Sequence, residues 1–273
     1  MPISQKPVAL VTGASSGMGR DFAMRLLQEG YVVYAAARRL ERMQEIADKG
    51  GSTIAMDVTD DASMSSGVER IIAECGRIDV LVNCAGYGQY GAIEDVPIDL
   101  ARRQMEVNLF GLARLTQLCL PHMRARKFGR IINISSIGGR ITTPLGGWYH
   151  ASKFALEGWS DVLRNEVRGF GIDVVVIQPG GIETEWSGIA TGEASRISGS
   201  GPYRNLVEAF VQAQSKMRKA PPPSVISALL SKAVGAVRPR TRYAGGMLAR
   251  PLLFLRRWLP DRVFDRLVMS AFR

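Results

Sequence analysis

The 273-residue chain is predicted to form an α/β fold, a doubly wound parallel sheet in a single domain. Two observations predict this fold class. Short apolar runs alternate with helical patterns over the first two-thirds of the chain, which is typical of a parallel sheet covered by helices on both faces. Glycines or polar residues follow these runs, at the strand ends where ligands bind in such sheets. The prediction takes residues 1–273 as one domain, with a substrate lid at 185–220 and an amphipathic basic tail at 246–273.

The first strand and the turn after it predict a dinucleotide site. Pro7–Thr12 is an apolar, β-branched run, and Gly13–Gly19 reads G-A-S-S-G-M-G before a helical pattern from Arg20 to Glu29. Glycines allow close backbone approach, and the helix N-terminus offers N–H groups to a pyrophosphate, as in Rossmann-like folds. A plain strand-to-helix turn is the alternative. The turn residues expected at the cofactor are Gly13, Ser15, Ser16, Gly17, Met18 and Gly19.

The second strand, Tyr31–Ala37, indicates which dinucleotide to expect. An acid about 20 residues past the glycine turn would hold the ribose 2′-hydroxyl of NAD(H). The strand instead ends in Arg38 and Arg39, and guanidinium groups suit a 2′-phosphate. NADP(H) is therefore the predicted cofactor. Two solvated arginines that open a helix are the alternative.

The remaining elements continue the alternation of strands and helices. Strands are predicted at Ser52–Met56, Asp79–Val82, Gly129–Ser135, Gly171–Gln178 and Thr241–Ala244. Helices are predicted from Asp60 to Cys75, Asp99 to Lys127, Trp148 to Phe170, Tyr203 onward and Ser224 to Val237. Because the carboxyl ends of parallel strands share one edge, the residues at these ends should meet there. They are Gly13, Arg38, Asp57, Asn83, Ser136 and Pro179.

Tyr149 and Lys153 form the candidate catalytic pair. Their spacing puts both side chains on one helix face, about one turn apart. A free tyrosine has a pKa of about 10, and a nearby ammonium should lower it, so that the phenol could act as a general acid or base. Ser136, just after a predicted strand, could donate a hydrogen bond to a substrate oxygen. A solvated helix face that carries the same two residues is the alternative.

With these motifs in place, residues 7–185 resemble the short-chain dehydrogenase/reductase family in its compact single-domain form. The matching motifs are T-G-A-S-S-G-M-G at Thr12–Gly19, N-C-A-G at Asn83–Gly86, Asn108, S-S at Ser135–Ser136, Y-H-A-S-K at Tyr149–Lys153 and P-G-G-I-E-T at Pro179–Thr184. One departure is Cys84, where the family usually has a second asparagine. The likeness extends to steroid- and retinol-type carbonyl reductases with NADP(H) preference.

The resemblance implies a role for each matched residue. Tyr149 would be the general acid/base, with Lys153 lowering its pKa and holding the nicotinamide ribose. Ser136 would orient the substrate oxygen, and Asn108 would hold a water that links Lys153 to solvent. Asp57 would meet the adenine, and Ile182 with Thr184 would fix the carboxamide. Further cofactor contacts are expected from Val58, Asn83, Ala85, Gly86, Pro179 and Gly180.

Composition and charge argue against several classes of protein. Met1–Pro7 has no apolar signal segment, and no run approaches the ~18 apolar residues that span a bilayer. Three scattered cysteines are typical of reduced thiols in a cytosolic protein, and two histidines exclude a histidine-rich metal site. The net charge of +10 belongs mostly to residues 238–273, which hold nine arginines and two aspartates. No nucleic-acid reading motif accompanies that charge, so no nucleic acid is expected as a partner.

The tail itself has three interpretations. Residues 250–260 and 261–272 interleave apolar residues with arginine, and Pro260 separates them. In the second half Val263, Phe264, Leu267, Val268 and Ala271 fall on one helical face, with Arg262 and Arg266 opposite. The face could pack on its own domain or on a partner subunit, lie on a membrane surface, or cover an apolar substrate pocket. The break at Pro260 favours the packed form.

The function that the sequence favours is NADP(H)-dependent interconversion of a carbonyl and an alcohol, on a hydrophobic small-molecule substrate. The protein is expected to be a cytoplasmic homo-oligomer, a dimer or tetramer, with possible peripheral membrane contact through the tail. One alternative is a catalytically retired NADPH-binding sensor or scaffold, which would not need Asn108, Ser136, Tyr149 and Lys153 together. A sugar epimerase or dehydratase of the longer related type is a third.

Overall fold

A computed structural model of the chain describes residues 5–216 and 220–272. In this part of the chain, seven parallel strands form one sheet in the order β3-β2-β1-β4-β5-β6-β7. The strands are β1 Val8–Thr12, β2 Val32–Ala37, β3 Ser52–Ala55, β4 Val80–Asn83, β5 Gly129–Ile134, β6 Ile172–Pro179 and β7 Arg242–Gly245. The predicted doubly wound sheet is therefore confirmed, and the carboxyl ends of all seven strands lie at one edge.

Eleven α-helices are described besides shorter helical turns. They are α1 Gly17–Gln28, α2 Gln44–Asp48, α3 Asp61–Cys75, α4 Ile98–Met105, α5 Gly111–Ala125, α6 Gly147–Val167, α7 Trp186–Ser198, α8 Arg204–Lys216, α9 Ser224–Gly235, α10 Ala249–Trp258 and α11 Asp261–Ser270. Asp60 caps α3, as expected, by accepting hydrogen bonds from the backbone N–H groups of Ala62 and Ser63.

The core occupies both faces of the sheet because successive strand residues point to opposite sides. Leu10 contributes to the face covered by α3 and α5, and Val11 to the face covered by α1 and α9. Both side chains are fully buried. Two apolar layers thus hold the strand ends in fixed positions, which is what a site at that edge requires.

The predicted helix from Asp99 to Lys127 is wrong in one respect. It is interrupted by a wide π-helical turn at Glu106–Phe110, between α4 and α5. This turn carries the buried Asn108. Single π-helical turns inside helices are often found at functional sites.

The lid segment also differs from the sequence-based expectation. No helix was predicted in its glycine- and serine-rich first part, which forms α7. Ala190, Ala194 and Ser198 recur at intervals of four and are buried against the body of the protein. Small residues on one stripe let a helix pack closely although its composition suggests a loop. The second predicted helix of the segment is α8, and residues 217–219 lie outside the described chain.

The tail forms two helices, α10 and α11, separated at Leu259 and Pro260. Of the apolar face predicted for its second half, Phe264 is buried, whereas Val263 and Leu267 remain exposed. Packing on the domain is thus partial. Within the described residues, each helix is too short or too polar to cross a membrane.

Candidate active site

The glycine-rich turn between β1 and α1 adopts a backbone that larger residues would not allow. Gly13 has a φ of +70°, and a Cβ there would lie 2.9 Å from the Ala85 backbone. A Cβ on Gly19 would overlap the carbonyl oxygen of Gly13. The close approach leaves the N-terminus of α1 open toward a cleft of about 610 Å³. Free N–H groups at a helix N-terminus suit a pyrophosphate, so the turn fits a dinucleotide.

Most of the residues predicted to bind the cofactor line this one cleft. They are Gly13, Ser15, Ser16, Gly17, Met18, Gly19, Arg38, Arg39, Asp57, Val58, Ala85, Gly86 and Thr184. They come from five separate segments of the chain, brought together at the carboxyl edge of the sheet. The convergence explains why strand-end residues were informative in the sequence.

The other predicted cofactor residues lie around the cleft rather than on its lining. The Asn83 side chain is buried, and its amide donates to Thr116 Oγ1 at 3.1 Å and to Asn133 Oδ1 at 2.9 Å. The Pro179 carbonyl accepts from Ser136 Oγ at 3.4 Å. Gly180 lies against the Met247 backbone, and Ile182 packs on the core. Any role of these four residues at the cofactor stays a prediction.

More arginines line the cleft than the sequence suggested. Arg42 and Arg103 line it together with Arg38 and Arg39. Partial burial raises the pKa of the nearby Asp57 carboxyl, but hydrogen bonds from Thr59 and the charges of Arg38 and Arg103 outweigh it, so that the pKa lies below its ordinary value. Arg42 lies four residues after Arg38, so the sequence could have indicated it. Arg103 lies on α4, and no local sequence pattern indicates that it reaches the cleft.

Tyr149 and Ser136 lie beside each other next to the cleft, but neither is part of its lining. Ser136 follows β5, and its Oγ accepts a hydrogen bond from Gly138 N at 2.9 Å. The same hydroxyl hydrogen-bonds the Tyr149 phenol. Burial raises the pKa of this phenol to about 12, against a smaller lowering by the Ser136 hydrogen bond. The phenol therefore holds its proton at neutral pH in this structure.

Lys153 lies one turn after Tyr149 on α6 and is buried. Its Nζ donates to the Ile134 carbonyl at 2.8 Å. Burial lowers the pKa of the ammonium to about 8, against smaller effects of Cys84 and Glu157. In this structure burial is the largest influence on the Tyr149 pKa, and the Lys153 ammonium bonds to the backbone of β5. That Lys153 lowers the phenol pKa stays a prediction.

Asn108 connects the π-helical turn to the catalytic helix. Its Oδ1 accepts from Tyr87 N at 3.1 Å, and its Nδ2 donates to Tyr87 O at 3.0 Å and to Ser152 Oγ at 3.1 Å. A Cβ added to Gly86 would lie 3.2 Å from Asn108 Oδ1 and 3.8 Å from Lys153 Nζ. Asn108 and Lys153 thus flank the same glycine, although the predicted water between them stays a prediction.

No sequence pattern predicted the aromatic cluster beside Tyr149. The Tyr90 ring centroid lies 5.8 Å from that of Tyr149, and the Trp186 centroid lies 5.3 Å from it. Phe210 stacks on Tyr90 at 5.1 Å, and Phe272 stacks on Phe210 at 6.5 Å. The rings come from a loop, α6, α7, α8 and the tail, so no spacing rule could have grouped them. They form an apolar wall next to the phenol.

His150 was also missed, although it directly follows Tyr149. Its Nδ1 lies 2.9 Å from Gly138 O, and its Nε2 accepts from Thr143 N at 3.0 Å. Burial lowers the pKa of the ring, against a smaller effect of the Gly138 carbonyl. The neutral imidazole therefore links Gly138 to Thr143 within the connection between β5 and α6.

Comparison with known proteins gives consistent results. Residues 7–192 match the family model described as short chain dehydrogenase. The chain is 36% identical over 267 residues to the 3-ketodihydrosphingosine reductase of Bacteroides thetaiotaomicron, covering 96% of each chain. It is 34% identical to an NADPH-dependent 3-dehydrocapnine reductase of Ornithobacterium rhinotracheale, covering 95% of each. The crystal structure of a Streptomyces avermitilis short-chain dehydrogenase superimposes with a TM-score of 0.81 at 32% identity, covering 97% of this chain and 96% of that one.

Proposed function

The chain belongs to the short-chain dehydrogenase family, and on that premise we propose that it uses NADPH to reduce a ketone on a long aliphatic chain. It is an oxidoreductase of this family. The observation that carries the finer proposal is this apolar wall: the Tyr90 and Trp186 rings pack beside the Tyr149 ring, and Trp186 also lines the cleft. An apolar wall next to a proton donor suits a substrate whose carbonyl adjoins hydrocarbon.

The cofactor is NADP(H). One relative is named as NADPH-dependent, and Arg38, Arg39, Arg42 and Arg103 all line the cleft. The glycine turn would hold the pyrophosphate, and Arg38 with its neighbours would hold the 2′-phosphate. When bound, the cofactor supplies the hydride, while the protein supplies binding, orientation and the proton.

The protein's own contribution to the reaction is a proton at the phenol oxygen of Tyr149. Because burial raises its pKa to about 12, the phenol is protonated at neutral pH and can donate to the oxygen of a carbonyl under reduction. Ser136 would orient that oxygen.

Two relatives support the substrate class. One is named for 3-ketodihydrosphingosine and the other for 3-dehydrocapnine. 3-Ketodihydrosphingosine carries its ketone on a long aliphatic chain, which matches the apolar wall. A likeness to steroid- and retinol-type reductases stays a prediction. So do a cytoplasmic location and a homo-oligomeric state, dimer or tetramer, which a sedimentation measurement would decide.

The experiment compares purified protein with its Tyr149→Phe variant, following NADPH absorbance with 3-ketodihydrosphingosine or acetone as substrate. We expect turnover of the long-chain ketone with kcat/KM at least about a hundredfold above acetone. We expect Tyr149→Phe to lower kcat by a factor on the order of 10² to 10⁴, the range for a positioned proton donor. NADPH binding, measured by fluorescence, should be retained.

Tyr31→Phe is the matched control, since Tyr31 lies next to β2 at the opposite edge of the sheet, and its turnover should be unchanged. Near-normal turnover by Tyr149→Phe would contradict the acid/base assignment. Equal activity on both ketones would contradict the long-chain assignment alone. NADPH binding without turnover of any ketone would instead favour the sensor alternative.

A further inference from the structure

The tail exposes aromatic and basic side chains on the same side of α10. Phe254 and Trp258 are 65% and 67% exposed, and their ring centroids lie 6.5 Å apart. By helical spacing, Arg250 and Arg257 share this side with them. Both arginines are exposed, and the Arg257 guanidinium lies 5.7 Å from the Trp258 ring centroid. We call Arg250, Phe254, Arg257 and Trp258 the tail face.

The tail face has further apolar and basic residues near it in the sequence. Leu248 precedes α10, and Val263 and Leu267 on α11 are exposed as well. Arg262 and Arg266 are exposed on the opposite face of α11. Large apolar residues exposed in a group usually mark an interaction surface. Here, positive charge accompanies them throughout.

We propose that the tail face docks on an anionic lipid surface. Aromatic rings alternating with arginine are the composition of interfacial helices, whose rings enter the headgroup boundary while guanidinium groups reach phosphates. The exposed Arg250 and Arg257 give the face the positive charge that an anionic surface complements. A second copy of the chain suits the face less well, because a two-fold interface would bring the same arginines together.

The position of the tail relates the docking surface to the catalytic site. Met247 forms a β-bridge with Gly181, immediately after β6, so α10 begins at the carboxyl edge of the sheet. At the other end of the tail, Phe272 stacks on Phe210, which leads through Tyr90 to Tyr149. Docking through the tail would therefore bring the apolar wall of the site close to lipid. The proposal stands without the proposed function, because docking requires neither substrate nor turnover.

The test is co-sedimentation of the full-length protein with vesicles, without cofactor or substrate. One set of vesicles is phosphatidylcholine with phosphatidylglycerol, and the other is phosphatidylcholine alone. We expect binding to the anionic vesicles and release by high salt, because screening weakens the arginine contribution. Phe254→Ser with Trp258→Ser, and separately Arg250→Ser with Arg257→Ser, should each lower the partition coefficient by about tenfold or more.

Phe170→Ser is the matched control. Phe170 is also an exposed aromatic with an arginine, Arg124, 5.7 Å from its ring centroid, but it precedes β6 at the opposite edge of the sheet. This variant should bind vesicles like the unchanged protein. Brominated phosphatidylcholine adds a second readout, since bound protein should lose tryptophan fluorescence, and Trp258→Phe should remove most of that loss.

Four results would overturn the proposal. They are absence of binding to anionic vesicles, equal binding to both vesicle types, undiminished binding of both double variants, or an equal loss in the Phe170 variant. A change of oligomeric mass in the Phe254/Trp258 variant would also overturn it and assign the face to a second copy. Melting temperatures show whether each variant is folded. If the aromatic variant were unfolded, the arginine variant and the bromolipid quenching would decide.

Discussion

Tyr149 and Lys153 lie one turn apart on α6, and burial shifts their pKa values in opposite directions. The phenol pKa is raised to about 12 and the ammonium pKa is lowered to about 8. Both shifts favour the uncharged form, as expected where few water molecules stabilise charge. The site therefore keeps a protonated phenol beside an ammonium that is costly to bury.

The cost of burying Lys153 should be visible in the pH dependence of stability without added cofactor. The folded pKa is about 8 and the reference value 10.5, so between these values the unfolded chain binds more protons, and stability rises with pH. We expect the free energy of unfolding of the unchanged protein, relative to Lys153→Met, to rise by about 3 kcal/mol from pH 8 to 10.5. Urea unfolding at several pH values measures this.

Lys49→Met, at an exposed lysine after α2, is the control and should show no such pH-dependent difference. A constant difference between the unchanged protein and Lys153→Met across this range would mean that Lys153 is not desolvated. Lys153→Met should also be inactive, which separates its catalytic role from its stability cost.

Arg38 permits a residue-scale test of cofactor choice. Arg38→Asp places a carboxylate where the 2′-phosphate would bind, so we expect the ratio of the NADPH and NADH Kd values to shift toward NADH by on the order of 10². Arg102→Asp, an exposed arginine outside the lining of the cleft, is the control for net charge and should leave the ratio unchanged. An unchanged ratio in Arg38→Asp would assign the selection to Arg39, Arg42 or Arg103.

At the scale of elements, the sequence was informative where a function depends on local spacing. The glycine turn, the arginines after β2 and the Tyr149–Lys153 pair each lie within one element or one connection, and the structure places them at the expected edge. The π-helical turn at Glu106–Phe110 was missed because its residues are ordinary helix formers. The amide of Asn108 bonds instead to the distant Tyr87 backbone, and a local pattern contains no such information.

Local sequence patterns also failed to predict α7. Its glycines and serines indicate a loop by local propensity, but burial of Ala190 and Ala194 stabilises the helix through tertiary packing. The aromatic wall beside Tyr149 depends on this helix, because Trp186 is its first residue. Local composition thus gave no sign of the helix or of the Trp186 ring that it places beside Tyr149.

At the scale of the whole molecule, the cofactor cleft and the tail are separate parts of one edge. The residues that line the cleft lie between Thr12 and Arg196, whereas the tail begins after β7. The two meet through Phe272, which packs on the cluster that contains Tyr90 and Phe210. The tail should therefore contribute to stability and to the substrate wall without holding the cofactor.

Removal of residues 250–273 tests this division. The truncated protein should bind NADPH with a Kd within about twofold of the full chain, because the lining of the cleft remains. Loss of the buried Phe264 and of the Phe272 contact should lower stability by about 3–5 kcal/mol, or roughly 10 °C in melting temperature. Phe264→Ala in the full chain should reproduce a large share of that loss, whereas Phe254→Ser with Trp258→Ser should reproduce little of it. Calorimetry measures the melting temperature, and NADPH fluorescence measures the Kd. An unchanged melting temperature would show that the tail does not pack on the domain.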